Sequence, residues 1–119
     1  MHELSISTAI VDTALRYADG QRVGVVSLRL GTLRQVVPSS LSFYFEIASR
    51  DTLCEGARLD LELIDAAMSC GSCGREWDPA PPLPRFRCPQ CGAAGGEVLR
   101  GNELEVESIE VEEGSAVNA

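Results

Sequence analysis

The sequence predicts an α+β fold, with two helices packed on a small three-stranded mixed sheet and a small cysteine-rich unit inserted before the last strand. Three observations carry this. The first 64 residues read as helix, strand, helix, strand; the next stretch holds four of the five cysteines among frequent Gly and Pro; and a strand-like segment closes the chain with no partner beside it. At 119 residues and 45% hydrophobic, the chain can build one ordinary core, so any second unit must be small.

From Leu4 to Ala18, the apolar residues Ile10, Val11, Ala14, Leu15 and Ala18 fall on one helical face, and Gly20 is placed to stop the helix. Next, "RVGVVSLRLG" is short and rich in β-branched residues, with Val26, Leu28 and Leu30 on one side and Val25, Ser27 and Arg29 on the other. In "VPSSLSFYFEIASR", Pro38 suits a first helical position, and Leu41, Tyr44, Phe45 and Ala48 then recur at helical spacing. After a turn at Glu55 and Gly56, "RLDLELID" alternates strictly. Leu59, Leu61 and Leu63 share one face, which the two helices are expected to cover, and Arg58, Asp60 and Glu62 share a wet one. A strand, helix and strand in this order predict a right-handed crossover and a parallel pair.

Residues 68–100 have too few apolar side chains to close a core and need a staple. "NELEVESIEVEE" then resumes alternation, but its phase slips at Ser108, so a continuous strand needs a bulge or bend near Glu107 and Ser108. An isolated strand is unstable, so this one is expected to return to the first sheet. That gives a first domain of residues 1–67 with 101–113, an inserted unit of residues 68–100, and a loose tail at residues 114–119. The Glu-rich faces read as solvated edge protection, with a docking surface for a basic partner as the alternative.

The formal charge is −8 and all ten basic residues are Arg, so no basic stripe suits a phosphate backbone; nucleic acid and anionic membrane are not expected partners. No basic n-region precedes an apolar run, and no stretch approaches the ~20 apolar residues of a membrane span, which reads as a cytoplasmic protein. In a reducing compartment, paired C-x-x-C spacing reads as metal rather than disulfide. "CGSCG" and "CPQCG" each offer two thiolates from one tight turn, with Gly74 and Gly92 after the second sulfur to relieve the turn and let backbone N–H groups face the sulfurs. Cys70, Cys73, Cys88 and Cys91 thus supply the four soft donors of a closed tetrahedral zinc site, which holds a fold and leaves no open position for hydrolysis.

C-P-x-C-G also resembles the rubredoxin iron knuckle, but that pattern comes with a packed aromatic cover, and here only Trp77 and Phe86 lie in the segment. Residues 68–100 carry four Arg against three acidic residues, which leaves a zinc-ribbon adaptor for protein or nucleic acid as a weaker alternative beside the electron carrier. Cys54 stands apart and reads as a half-buried structural thiol. With His2 the sole histidine, no Lys, and no G-x-G-x-x-G or Walker pattern, the residues argue against an enzyme.

A histidine beside a chain end is by itself ordinary. The α-amine, the residue-2 backbone nitrogen and the His2 imidazole can nevertheless chelate one metal through fused rings, with the next backbone nitrogen or the Glu3 carboxylate completing the set. Such nitrogen-rich donors suit Ni(II) and Cu(II), while four thiolates suit zinc.

Over nearly its whole length the chain resembles the HypA/HybF family of hydrogenase-maturation proteins. The resemblance rests on "MHELSI", on "RDTLCEGARLDLELI" leading into "CGSCG", on "CPQCG" and on "GNELEVESIEVEE". It implies a nickel metallochaperone that carries Ni²⁺ at Met1, His2 and Glu3, with structural Zn²⁺ on Cys70, Cys73, Cys88 and Cys91 in a domain inserted before the last strand. The implied partners are a HypB-type accessory GTPase and the hydrogenase large-subunit precursor, with urease maturation proteins in some members. The chain itself is expected as a monomer or homodimer. One departure stands out: where some members carry an acidic residue near the start of the second helix, this chain has "VVPSSLSF", with Ser39 and Ser40 and no carboxylate.

Overall fold

The computed structural model describes residues 3–79 and 85–112 and the backbone of 116–118. Its elements are α1 (Glu3–Ala18), β1 (Val23–Gly31), a 3-10 turn (Thr32–Arg34), α2 (Pro38–Ser49), β2 (Arg58–Ile64), β3 (Ala67–Ser69), β4 (Glu76–Trp77), β5 (Glu97–Arg100), β6 (Leu104–Val111) and β7 (Ala116–Asn118). Both expected helices form. Helix α1 buries Ile10, Val11, Ala14 and Ala18, and α2 starts at Pro38, where a missing N–H costs nothing, and buries Leu41 and Phe45. The helices pack on each other, and Ser7, itself buried, donates its hydroxyl across the contact to the Leu41 carbonyl at 3.2 Å.

Four strands form one sheet in the order β2-β1-β6-β7. At the start of β1, Val23 N–H donates to the Leu53 carbonyl ahead of β2, and six residues along, Arg29 reaches Glu62 near the end of β2. The two strands therefore run in the same direction, the parallel pair expected of a crossover through α2. Glu112 N–H donates to the Arg22 carbonyl while Gly31 N–H donates to that of Glu103, so β6 returns antiparallel along β1 and the sheet is mixed. Val26, Leu28 and Leu30 are buried as expected. In β6, Leu104 and Val106 are half-buried and Ile109 and Val111 fully so; the slip in alternation reappears as a change in the phase of burial along one continuous strand.

Two expectations need correction. The sheet has four strands, because residues 114–119, expected as a loose tail, contain β7, which pairs antiparallel with β6 through Ser108 and Asn118, Ile109 and Val117, and Glu110 and Ala116. The leucine face of β2 is not fully covered either: Leu59 and Leu61 are half-buried and Leu63 is 53% exposed. The reason is position, since β2 is an edge strand of the sheet.

By packing, the chain divides into two compact units, one of residues 1–29, 36–62 and 105–119, the other of residues 30–35 and 63–104. The second holds a three-stranded antiparallel sheet in the order β4-β3-β5, with Met68 paired to Trp77 on one side and Val98 on the other. Residues 30–35 join it because Leu33 N–H donates to the Gly101 carbonyl and Arg34 Nε to that of Asn102 at 2.8 Å. Gly31 lies against the Gly101 carbonyl so closely that a Cβ there would overlap it. No helix among the described residues is long and apolar enough to cross a membrane.

Candidate metal centre

The four knuckle cysteines converge. Strand β3 ends at Ser69 and delivers Cys70 and Cys73 on the turn before β4, while Cys88 and Cys91 sit on a second turn flanked by the bridge between Arg87 and Ala94. Each turn is built the same way. Cys70 N–H donates to the Arg75 carbonyl at 2.8 Å and Gly74 N–H to that of Cys70 at 3.0 Å; Cys88 N–H donates to Ala93 at 3.0 Å and Gly92 N–H to Cys88 at 2.9 Å. Gly74 and Gly92 take φ of 78° and 76°, the left-handed conformation that a side chain disfavours.

The turn geometry aims N–H groups at sulfur. Ser72 and Cys73 N–H point at Cys70 Sγ from 3.3 and 3.5 Å, and Gln90 and Cys91 N–H at Cys88 Sγ from 3.4 and 3.5 Å. These donors, Cys73 N–H first, hold the Cys70 thiol down to about 6 from an ordinary 9.0, and Cys91 N–H leads the same effect on Cys88. For Cys73, the Arg75 N–H favours the thiolate, but the neighbouring Cys88 thiol and burial outweigh it and push the group up to about 11. Cys91 is raised in the same way, the Ala93 N–H being outweighed by the Cys70 thiol and burial. Four thiolates this close repel, so only the first of each pair ionises readily until a cation joins them.

The spacing matches such a cation. All four sulfurs lie within 4.8 Å of one another, with Cys70 to Cys91 and Cys73 to Cys88 at 3.6 Å. Tetrahedral bonds of about 2.3 Å to zinc give sulfur–sulfur edges of about 3.8 Å. Cys70 and Cys88 are buried while Cys73 and Cys91 face outward. The two turns are also joined by Arg75 Nη1 donating to Gln90 Oε1 at 3.4 Å, and Trp77 Nε1 donates to the Arg85 carbonyl at 2.8 Å. These side-chain links could not be read from the sequence, because C-x-x-C spacing fixes each turn but says nothing of how two turns meet.

Of the other proposed ligands, Met1 and His2 lie outside the described residues. Glu3 is the first residue of α1, its side chain half-buried. Ser39 and Ser40 occupy the first turn of α2, which holds no acidic residue. Cys54 is fully buried in the first unit, deeper than the half-burial expected of it, and burial pushes its thiol up.

The model of the family described as HypA, hydrogenase/urease nickel incorporation, metallochaperone, matches residues 1–111. The hydrogenase maturation factor HypA of Geobacter metallireducens is 44% identical over 114 residues, covering 94% of this chain and all of that protein. The one from Streptomyces avermitilis is 42% identical over 118 residues, covering 96% and 89%. Among solved structures, the Ni metallochaperone HypA from Helicobacter pylori superposes with a TM-score of 0.66 at 23% identity over 93% of this chain and 97% of that one, a similarity of fold.

Proposed function

The chain belongs to the HypA family of hydrogenase and urease nickel-incorporation proteins, and on that premise we propose that it carries Ni(II) on its first three residues and delivers it to a hydrogenase large-subunit precursor. The Met1 amine, the His2 imidazole and backbone nitrogen, and Glu3 form the nickel set, and a HypB-type GTPase is the partner in delivery. The observation that carries this is the chain's sole histidine, set at position 2 directly ahead of the helix that begins at Glu3. A helix starting there fixes where the short chelating segment departs, so three residues can close fused chelate rings at small entropic cost.

Zinc is the ion we assign to the four sulfurs. Their near-tetrahedral spacing and N–H cradle suit a closed structural site. The rubredoxin alternative loses support from the aromatics, since Phe86 is 50% exposed and offers no apolar cover. A closed site leaves zinc to hold the unit together while the cargo binds elsewhere.

The test is a nickel titration by calorimetry of the chain beginning at Met1, beside one carrying two extra N-terminal residues. The extension moves the amine out of chelate range, so affinity should fall at least about a hundredfold, about 2.7 kcal/mol. Equal affinity in the two sinks the assignment. Zinc content, measured in parallel, should stay at one per chain in both.

A further inference from the structure

The four knuckle sulfurs are sorted by exposure as well as by spacing. In each turn the first cysteine, Cys70 or Cys88, is buried, and the second, Cys73 or Cys91, faces outward. Each outward sulfur stands 3.6 Å from the buried sulfur of the opposite turn, Cys73 from Cys88 and Cys91 from Cys70. Bonding them takes an approach of about 1.5 Å, to an S–S length of about 2.05 Å. Four cysteines allow three pairings, and the three hold different things together. Bridges within the turns, Cys70 to Cys73 and Cys88 to Cys91, leave the turns unconnected. Crossed bridges, Cys73 to Cys88 and Cys91 to Cys70, span 15 and 21 residues and tie turn to turn, as the proposed zinc does. The third pairing joins the outward sulfurs to each other and leaves the two buried ones, shielded from an oxidant, to be oxidised directly. The fifth thiol, Cys54, is fully buried and lies outside the cluster.

We propose that this cluster is an oxidation site for hydrogen peroxide, at which the crossed disulfides Cys73–Cys88 and Cys70–Cys91 take over the stapling role of the metal. The inference rests on the assignment of zinc to these sulfurs. The outward Cys73 thiolate is open to peroxide, and the Cys88 sulfur waits beside it. Cys73 Sγ attacks one peroxide oxygen, the O–O bond breaks, and the other oxygen takes up a proton and leaves as water, so that Cys73 becomes a sulfenic acid. The Cys88 thiolate then attacks that sulfur. The S–S bond forms, the S–O bond breaks, and the departing hydroxide takes up a second proton and leaves as a second water. Two electrons pass from the pair of sulfurs to the peroxide, and Cys91 with Cys70 consumes a second peroxide in the same way. The four negative charges that hold a dication are then gone, yet the turn after β3 remains tied to the second turn. Peroxide thus strips the metal from the unit without unfolding it, and a dithiol reductant with Zn(II) restores the starting state.

The test treats the zinc-loaded native chain with hydrogen peroxide in the presence of a chromogenic chelator. One zinc per chain should be released, and none over the same period without peroxide. The disulfides are then mapped. Trypsin cuts after Arg58, Arg75, Arg87 and Arg100, which places Cys70 and Cys73 in one peptide and Cys88 and Cys91 in another. Crossed bridges leave the two peptides joined, with fragmentation between the cysteines assigning Cys73 to Cys88 and Cys70 to Cys91, and Cys54 should be recovered as the one free thiol. Hydrogen exchange should show the amides of β3 still protected in the oxidised chain. Zinc retained under excess peroxide overturns the proposal, as do separate peptides, bridges from Cys70 to Cys88 and Cys73 to Cys91, or loss of protection in β3 once the crossed bridges have formed. A reduced chain that takes up no zinc at the outset counts against the zinc assignment, and peroxide treatment of that chain still reads the pairing.

Discussion

At residue scale, Gly31 and Cys54 show how tightly this small molecule is built. A methyl group at residue 31 would meet the Gly101 carbonyl, a backbone group that cannot rotate away, so the end of β1 must separate from the loop before β6. Gly31→Ala should therefore destabilise the protein by about 1–3 kcal/mol, read as a lower urea midpoint with an unchanged slope. Nothing in the sequence distinguishes that glycine, because the demand comes from a residue 70 positions away. Cys54 was legible as a structural thiol but not as fully buried. Burial raises its folded value above the ordinary 9.0, so its neutral form contributes stability in full below pH 9, and that contribution is lost as pH rises through the raised value. Cys54→Ala should cost about 1 kcal/mol near neutral pH. It should also flatten the decline in stability above pH 9 in urea melts; a decline as steep as the native one would show that Cys54 is not its source.

At the scale of elements, periodicity located both helices and three of the strands, because each presents a face whose spacing is local. Sheet order is not local, and that is where the reading failed. The alternation of Leu59, Leu61 and Leu63 is as regular as that of Val26, Leu28 and Leu30, yet only the second set is sealed, because β1 lies inside the sheet and β2 at its rim. Strand β7 was invisible for a related reason: three short residues pair only because β6 offers an edge. The knuckles are the opposite case. Each is one turn whose residues all lie within six positions, so spacing and glycines alone declared it. Because the four cysteines staple the turns that flank the sheet of β3, β4 and β5, Cys73→Ser should release the proposed zinc and unfold this unit. Hydrogen exchange should then show amides of residues 67–77 and 97–100 losing protection while those of α1 and α2 keep it. Retained protection in β3 would mean that the strands stand without the metal.

Across the whole molecule, the proposed nickel and zinc sites use donors of opposite character, and acid should separate them. The nickel set must keep an imidazole and an α-amine unprotonated, groups whose ordinary values are about 6.5 and about 7.7–8.0, along with a backbone nitrogen that gives up its proton only to the metal. Protons therefore compete for it from just below neutral pH. The sulfur site begins with Cys70 and Cys88 already biased towards thiolate by N–H donors, and a dication closed in by four sulfurs stabilises all of them further. A chain loaded with both metals and titrated downward from pH 8 in the presence of a chromogenic chelator should release nickel first, near pH 6 to 7. Zinc should follow only at more acid pH, together with loss of structure in the unit that holds it. His2→Ala should abolish the first step and leave the second unmoved. Zinc leaving before nickel would contradict the division of labour, because it would make the structural ion the more labile one and couple cargo release to unfolding.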